Sequence, residues 1–103
     1  MLEINEERNG TQWVISLCGR LDTLAAAELD QVVQGGIAGV TELVFDFADV
    51  PYIASAGLRI LLVAQKQMSK QGSMKLLHVR RDVKDVLEIT GFINFLTLEE
   101  TES

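Results

Sequence analysis

The amino-acid sequence predicts one compact α/β domain, residues 1–103, in which helices pack on a mixed sheet that starts with a β-hairpin. Short apolar runs of strand type alternate along the chain with segments whose apolar residues recur at helical spacing. An Asn-Gly dipeptide separates the first two strand candidates, and 48% hydrophobic residues suffice for the core of one domain. Strands joined by helices are normally parallel, with right-handed crossovers. The sheet is therefore predicted to have four or five strands, with the hairpin as its antiparallel part.

The hairpin is predicted from two alternating segments and the turn between them. Leu2 and Ile4 alternate with polar residues in the first segment. Asn9-Gly10 favours the left-handed backbone of a tight turn. The second segment, Trp13-Val14-Ile15-Ser16-Leu17-Cys18, is more apolar, so we expect it to be buried more deeply.

The first helix is predicted to follow Gly19-Arg20-Leu21-Asp22-Thr23, which breaks the second strand. Asp22 or Thr23 can cap this helix, because a side-chain oxygen there accepts a hydrogen bond from a free backbone N–H. The helix should run to about Gln34 and end at Gly35-Gly36, where a left-handed residue is expected. Its inward residues are Ala25, Ala26, Leu29, Val32 and Val33.

The densest apolar run, Leu43-Val44-Phe45-Asp46-Phe47, predicts a buried strand that a long helix follows. Pro51 forbids one continuous element across this region. We therefore expect the helix to begin at Ser55 and to stop near Gly72, with Lys66 and Lys70 in its last turns. Its inward residues are Gly57, Leu61, Ala64 and Met68.

The last third of the chain predicts a strand, a short helix and a candidate edge strand. Met74-Lys75-Leu76-Leu77-His78-Val79 has strand character, and Asp82 starts a helix that Gly91 ends. The inward residues of this helix are Val83, Val86, Leu87 and Thr90. The candidate edge strand is Phe95-Leu96-Thr97-Leu98.

The composition disfavours several classes of partner and location. The formal net charge is −6, whereas nucleic acids and anionic membrane surfaces attract basic proteins. Apolar runs stay well short of the roughly 18 residues that span a bilayer, and the first residues lack the pattern of a signal peptide. Cys18 is the only cysteine, so an internal disulfide is impossible. We expect a cytoplasmic protein that binds neither nucleic acid nor membrane, while a basic protein partner is compatible with its charge.

Ser55, at the bend between strand and helix, resembles the nucleophile of a hydrolase, but the motif is incomplete. The nucleophile elbow needs a glycine two residues on either side of the serine; Gly57 meets this requirement and Ile53 does not. A triad also needs a histidine, and the only one, His78, lies within an apolar run. A packed or half-exposed side chain is the simpler interpretation of that histidine. We therefore predict no catalytic residue and no enzyme activity.

Metal and cofactor sites are not predicted either. One cysteine and one histidine, far apart in the sequence, do not form a cluster of metal ligands. The segment Gly35-Gly36-Ile37-Ala38-Gly39 lacks the Lys-Ser/Thr ending of a phosphate loop, and it precedes a strand instead of a helix.

Three polar residues each keep a structural interpretation beside a functional one. Ser55 can cap its helix, or it can carry a regulatory phosphate, which the partly positive start of a helix tolerates. Asp46 interrupts an apolar strand, and we favour a structural role in which its carboxylate accepts hydrogen bonds from loop amides. Asp22 is favoured as a helix cap. Asp22 and Ser55 both follow the carboxyl ends of predicted strands, where sites of α/β sheets usually lie.

Four segments together resemble the STAS domain, which is named for sulphate transporters and anti-sigma factor antagonists. The most specific is Tyr52-Ile53-Ala54-Ser55-Ala56-Gly57-Leu58, which is similar to the family signature at the start of its long helix. The other three are Gly19-Arg20-Leu21-Asp22, Leu43-Val44-Phe45-Asp46-Phe47 and Thr90-Gly91-Phe92. The chain is most similar to the free-standing bacterial anti-sigma factor antagonists.

This resemblance implies a regulatory function. Such an antagonist, when unphosphorylated, binds an anti-sigma factor that is often a serine kinase, and so releases a sigma factor. The kinase phosphorylates the serine that aligns with Ser55, which ends the complex, and a serine phosphatase restores it. The implied partner-binding residues are Asp22, Thr23, Ala54, Ser55, Ala56, Gly57, Leu58 and Arg59.

One residue departs from the family pattern and keeps a second function open. Many members have aspartate directly before the phosphorylated serine, where this chain has Ala54. The missing charge can alter recognition by the kinase, or it can indicate a member that is not phosphorylated. In the second case the chain would resemble the STAS docking subunits of lipid-transport ABC systems or of stress-signalling assemblies.

Overall fold

Five strands form one mixed sheet in the computed structural model, which describes residues 2–99. The strands are β1 (Glu3–Asn9), β2 (Gln12–Cys18), β3 (Glu42–Asp49), β4 (Ser73–Leu77) and β5 (Leu98–Glu99). The helices are α1 (Thr23–Gly36), α2 (Ser55–Met68) and α3 (Arg81–Thr90), and a short 3-10 helix spans Phe92–Asn94. The strands lie in chain order; β1 pairs antiparallel with β2, and all later pairs are parallel. The predicted α/β fold with its N-terminal hairpin is confirmed, and β5 makes the sheet five-stranded.

The core lies between the helices and the alternating apolar residues of the central strands. Side chains in a strand point to opposite faces in turn, so every second residue of β2, β3 and β4 can face the helices. The buried members of this set are Trp13, Ile15, Leu17, Leu43, Phe45, Phe47, Met74 and Leu76. The inward residues predicted for α1 and α2 are buried as well, except Val32, which is partly buried against the core.

Helices α1 and α2 lie side by side along their length. The side-chain amides of Gln34 and Gln67 exchange two hydrogen bonds, of 2.8 and 2.9 Å, near the C-terminal ends of the two helices. Their N-terminal ends are held together by backbone hydrogen bonds between the loops that precede them. The two helix starts therefore form one continuous surface.

The glycines at the end of α1 differ from the prediction. Gly35 and Gly36 are both helical, and the residue after them, Ile37, keeps a right-handed backbone. The left-handed glycine of this loop is Gly39, with φ of 82°. A Cβ atom at Gly36 would lie only 2.7 Å from Cη2 of Trp13, so this position needs glycine for close packing and not for helix termination.

Two boundaries of the central region also differ from the prediction. Helix α2 ends at Met68, so Lys70 lies outside it. Gly72 does not terminate the helix; a Cβ atom there would collide with the backbone of Thr41, which Ser73 contacts through a 3.0 Å backbone hydrogen bond. Position 72 therefore needs glycine because two loops approach each other closely there, and not because the helix ends there.

The last third of the chain shows three further differences. Strand β4 ends at Leu77, so His78 follows the strand with a left-handed backbone, φ 57°, instead of lying within it. Thr90, which was predicted to face inward, is exposed, and its hydroxyl donates to the carbonyl oxygen of Val86 at 2.8 Å. Phe95 is an exposed turn residue, because the edge strand begins only at residue 98.

Candidate functional site

The starts of α1 and α2 are neighbours because the loops before them pair as a short parallel bridge. The backbone N–H of Leu21 donates to the oxygen of Tyr52 at 3.0 Å, and the N–H of Ala54 donates to the oxygen of Leu21 at 2.9 Å. Leu21 and Ile53 are the bridge partners. Each loop follows the carboxyl end of a parallel strand, which is the usual place for a site in such a sheet. The bridge therefore brings Asp22 next to the start of α2.

Asp22 caps α1, as its position in the sequence predicted. Its Oδ1 accepts a hydrogen bond from the N–H of Ala25 at 2.9 Å, while its backbone is extended. Its carbonyl oxygen accepts the N–H of Ala26 at 2.8 Å, the first bond of the helix. Thr23 is the first helical residue, and both it and Asp22 are exposed. The cap leaves the other carboxylate oxygen of Asp22 available to a partner.

Ala54, and not Ser55, occupies the capping position of α2. Its backbone is extended, and its carbonyl oxygen accepts the N–H of Leu58 at 3.1 Å. A methyl group cannot accept a hydrogen bond, so α2 begins without a side-chain cap. Ser55 is the first helical residue and is exposed; within residues 2–99 its hydroxyl makes no hydrogen bond. The interpretation of Ser55 as a helix cap is therefore wrong.

Gly57 and Leu58 hold the start of α2 against the bridge. A Cβ atom at Gly57 would lie 2.9 Å from Cγ1 of Ile53 and 2.9 Å from Cγ of Leu21. Leu58 is only 3% exposed and belongs to the core. These two residues of the implied partner-binding set are thus buried behind the surface. The exposed members are Asp22, Thr23, Ser55 and Arg59, with Ala54 and Ala56 partly exposed.

The surface around Ser55 carries positive charge beside the carboxylate of Asp22. Arg59 follows Ser55 by four residues, so both lie on one side of α2, and within residues 2–99 its guanidinium makes no ion pair or hydrogen bond. The guanidinium of Arg20 lies 4.2 Å from the centre of the Tyr52 ring, a cation–π contact. The uncapped amides of α2 add the partial positive charge of a helix start. This mixed-charge surface can accommodate a phosphate on Ser55 in the folded state.

Asp46, within β3, and His78, the residue after β4, form a separate pair. Oδ1 of Asp46 accepts the N–H of Ala48 at 3.0 Å and lies 3.0 Å from Nδ1 of His78. The backbone bond supports the structural role predicted for Asp46, but the donor, Ala48, lies within β3 and not in a loop, and the Asp46 side chain is half-buried. His78 thus contacts Asp46, and the hydroxyl of Ser55 has no hydrogen bond to it. A serine–histidine pair is not assembled by these residues.

The described part of the chain offers neither a cluster of metal ligands nor a helix that could span a membrane. Residues 2–99 contain no group of three His, Cys, Asp or Glu side chains placed to hold a metal ion. Over the same residues, none of the helices has both the length and the apolar character needed to cross a bilayer.

Arg20 and Tyr52 are the site residues that sequence reasoning missed. They belong to two different loops, so neither strand nor helix periodicity relates them. Each is adjacent to a bridge residue, Leu21 or Ile53, and only the pairing of the loops brings the guanidinium onto the ring. The sole signal in the sequence was that both loops belong to segments with the STAS pattern.

The protein is an α/β domain with a mixed five-stranded sheet, and its candidate site is the surface formed by the paired loops before α1 and α2. Comparison with known proteins identifies its family. The STAS domain family matches residues 3–103, so the chain belongs to the STAS domain family. A relative from Bordetella bronchiseptica, BtrV, is described as a candidate anti-sigma factor antagonist and is 34% identical over 76 residues. The match covers 73% of this chain and 60% of the relative, so it spans less than two thirds of that protein.

Solved structures share the fold at lower sequence identity. An anti-sigma factor antagonist from Mycobacterium paratuberculosis has a TM-score of 0.87 and 23% identity, over 98% of this chain and 87% of that one. Unphosphorylated SpoIIAA has a TM-score of 0.84 and 20% identity, over 98% and 90% of the two chains. Phosphorylated SpoIIAA of Bacillus has a TM-score of 0.77 and 19% identity, over 98% and 93%. At these identities the likeness establishes the fold.

Proposed function

We propose that this STAS protein is an anti-sigma factor antagonist switched by phosphorylation of Ser55. When unphosphorylated it binds an anti-sigma factor that is a serine kinase, and so regulates sigma-factor-dependent transcription in the cytoplasm. The kinase ends the complex by phosphorylating Ser55, and a serine phosphatase restores it. The protein acts by binding and not by catalysis. The observation that carries this proposal is the exposed hydroxyl at the first position of α2, which makes no hydrogen bond to any residue from 2 to 99.

The local backbone keeps this hydroxyl available for phosphoryl transfer. A serine that caps its own helix has its oxygen engaged with a backbone N–H. Here Ala54 takes the capping position, so the oxygen of Ser55 has no competing partner within residues 2–99. A kinase can therefore reach the hydroxyl without first breaking a hydrogen bond of the antagonist.

Local repulsion is sufficient to make phosphorylation a switch. A phosphate adds nearly two negative charges at neutral pH, and the start of a helix tolerates them in solution. In a complex the same phosphate would be desolvated close to Asp22 and to any acidic group of the partner. A hundredfold loss of affinity corresponds to about 2.7 kcal/mol, which one such phosphate can supply. The fold itself need not change.

The relatives support this proposal without establishing it for this chain. One is described as a candidate anti-sigma factor antagonist, and SpoIIAA is known in both an unphosphorylated and a phosphorylated form. The present fold matches both of those forms. This agreement is expected if phosphorylation of Ser55 alters the surface of the domain and leaves its architecture unchanged.

Phosphorylation assays test the proposal directly. Purified anti-sigma factor kinases and ATP should label the wild-type protein but not Ser55→Ala. Ser69→Ala is the matched control, because Ser69 is an exposed serine at the other end of the same helix. Calorimetry with ADP present should show that phosphorylation weakens binding at least a hundredfold. Labelling of Ser55→Ala at the wild-type rate, or failure of every kinase to label the protein, would reject the proposal.

Ala54 favours one alternative, a docking subunit whose partner is a lipid-transport ABC ATPase or a stress-signalling assembly. Many STAS proteins of this type have an aspartate directly before the serine, where this chain has Ala54. In that function the surface around Ser55 would bind the partner whether or not the serine is modified. Co-purification separates the two: a kinase bound in the presence of ADP supports the antagonist, and a transport ATPase supports the docking subunit.

A further inference from the structure

We infer that a groove beside the start of α1 receives an apolar side chain and an adjacent basic residue of the anti-sigma factor. This inference rests on the proposed function and names the chemistry of the partner segment. The groove has a volume of about 570 Å³, within the roughly 300–1,000 Å³ of typical binding clefts. Its lining residues are Leu2, Asp22, Leu24, Ala25, Ala27 and Glu28.

Four of the six residues that line the groove are apolar. Leu2 and Ala25 are buried, whereas Leu24 is 81% exposed. Leu24, Ala27 and Glu28 follow the i, i+3, i+4 spacing that places residues on one side of a helix. A single exposed leucine is ordinary on a protein surface. This one adjoins a concavity whose lining is mostly apolar, which is the arrangement that accepts a partner side chain.

The charge of the groove selects a basic partner residue. Asp22 and Glu28 are its charged lining residues, and both are acidic. Within residues 2–99 Glu28 has no ion pair, and Asp22 uses one oxygen to cap α1. The whole chain has a formal net charge of −6, so an acidic segment would be repelled. An arginine or lysine next to the inserted apolar side chain complements both carboxylates.

Asp22 links the groove to the surface around Ser55. Asp22 lines the groove and also follows Leu21, whose backbone bonds to Tyr52 and Ala54 in the neighbouring loop. A partner that covers Ser55 and Asp22 therefore meets Leu24 within the first turn of α1. An amphipathic helix with an apolar residue and a basic residue three or four positions later presents both groups on one side.

A peptide titration tests the groove without any partner protein. The probe is a short alanine-based helical peptide with two leucines four positions apart and arginines on the adjacent side. The control peptide has glutamates in place of the arginines. We expect the arginine peptide to shift the amide resonances of residues 24–28 in ¹⁵N-labelled wild-type protein, with a smaller effect on Leu24→Ala. No shift at millimolar peptide, or equal shifts from the glutamate peptide, overturns the inference.

Affinity for the kinase that labels Ser55 provides the second test. Leu24→Ala should weaken binding about 10-fold to 100-fold, the range expected for burying a leucine side chain. Ile89→Ala is the matched control, since Ile89 is 85% exposed on α3 and lies outside the groove. Glu28→Gln should weaken binding of the kinase at low salt. Glu88→Gln should not, because Glu88 lies on α3 and does not line the groove. Melting temperatures of all variants check that folding is intact.

The two tests separate failure of the groove from failure of the proposed function. If Leu24→Ala binds the kinase like the wild-type protein while phosphorylation of Ser55 still ends the complex, the groove is wrong and the antagonist function stands. If no kinase labels Ser55, the peptide titration alone decides the groove. A peptide shift then supports a basic partner segment independently of phosphorylation.

Discussion

Ala54→Asp is expected to stabilise the protein, because α2 begins without a side-chain cap. Ala54 has φ −91° and ψ 168°, close to the φ −85° and ψ −172° of Asp22, which caps α1 through a 2.9 Å bond from the N–H of Ala25. An aspartate at position 54 can accept the N–H of Gly57 in the same way. Replacing alanine by a good capping residue contributes about 1 kcal/mol, within a range of about 0.5–2 kcal/mol. In a domain of this size that raises the melting temperature by about 4–8 °C.

Two further variants identify the source of the stabilisation. Ala54→Asn supplies a neutral cap, so any excess stability of Ala54→Asp over it measures the favourable charge at the helix start. Asp22→Ala removes the existing cap of α1 and should lower stability by about the amount that Ala54→Asp adds. Thermal unfolding and urea unfolding of the four proteins give these differences. An unchanged slope against urea would show that the mutations act on stability alone.

The outcome that refutes the reasoning is specific. If Asp22→Ala lowers the melting temperature but neither Ala54→Asp nor Ala54→Asn raises it, position 54 is not a vacant capping position. The same variants bear on the proposed switch, because an aspartate at position 54 puts a second carboxylate beside Ser55. If a kinase labels Ala54→Asp and Ala54→Asn at equal rates, the aspartate that many family members have before the serine serves to cap the helix. If it labels Ala54→Asp faster, that aspartate serves in recognition by the kinase.

Other variants test the remaining contacts. In urea unfolding, Gly57→Ala should lower the free energy of unfolding by about 1–3 kcal/mol, because the new Cβ atom would crowd two buried side chains. Gly35 is helical with open space around it, so Gly35→Ala should raise the free energy of unfolding by up to about 1 kcal/mol in the same assay. Arg59→Gln should cost the Ser55-phosphorylated protein about 0.5 kcal/mol more than the unphosphorylated one, as an i, i+4 ion pair forms only with the phosphate, and equal losses in melting scans would contradict this. The pKa of Lys75 is raised, chiefly by its hydrogen bond to the carboxylate of Glu99 in β5. The contribution of Lys75 to stability is therefore fully present below pH 10.5, the value for a free lysine, and is lost as the pH rises through the higher pKa of the folded state. The difference in urea midpoint between wild type and Lys75→Gln should shrink as the pH is raised above 10.5.

Much of the architecture could be predicted from local patterns. The order of the elements, the inward residues of α1 and α2 and the capping role of Asp22 all follow from residues within a few positions of one another. Periodicity and capping are local effects, which is why sequence reasoning succeeds with them. The same locality placed Ser55 at the start of the long helix.

Sequence reasoning failed where distant segments approach each other. Gly36 is predicted to end α1, but it is helical, and glycine is needed there because the side chains of Arg8 and Trp13 occupy the space of a Cβ atom. Gly57 faces inward as predicted, but its close contact with Ile53 and Leu21 is not visible in the helical spacing. The capping position fell on Ala54 instead of Ser55 because the bridge to Leu21 keeps the backbone extended through Ala54. No local pattern carries information on such contacts.

The sequence by itself thus determined the fold class, the family resemblance and the residue expected to carry the phosphate. Only the tertiary structure decided that Ala54 and not this serine occupies the capping position, that the loops carrying Asp22 and Ser55 pair through their backbones, and that Leu24 lines a groove with Asp22 and Glu28. The physical reason is the same in each case. Helices and strands are selected by neighbours in the chain, whereas a surface is made by whichever loops the packed sheet brings together.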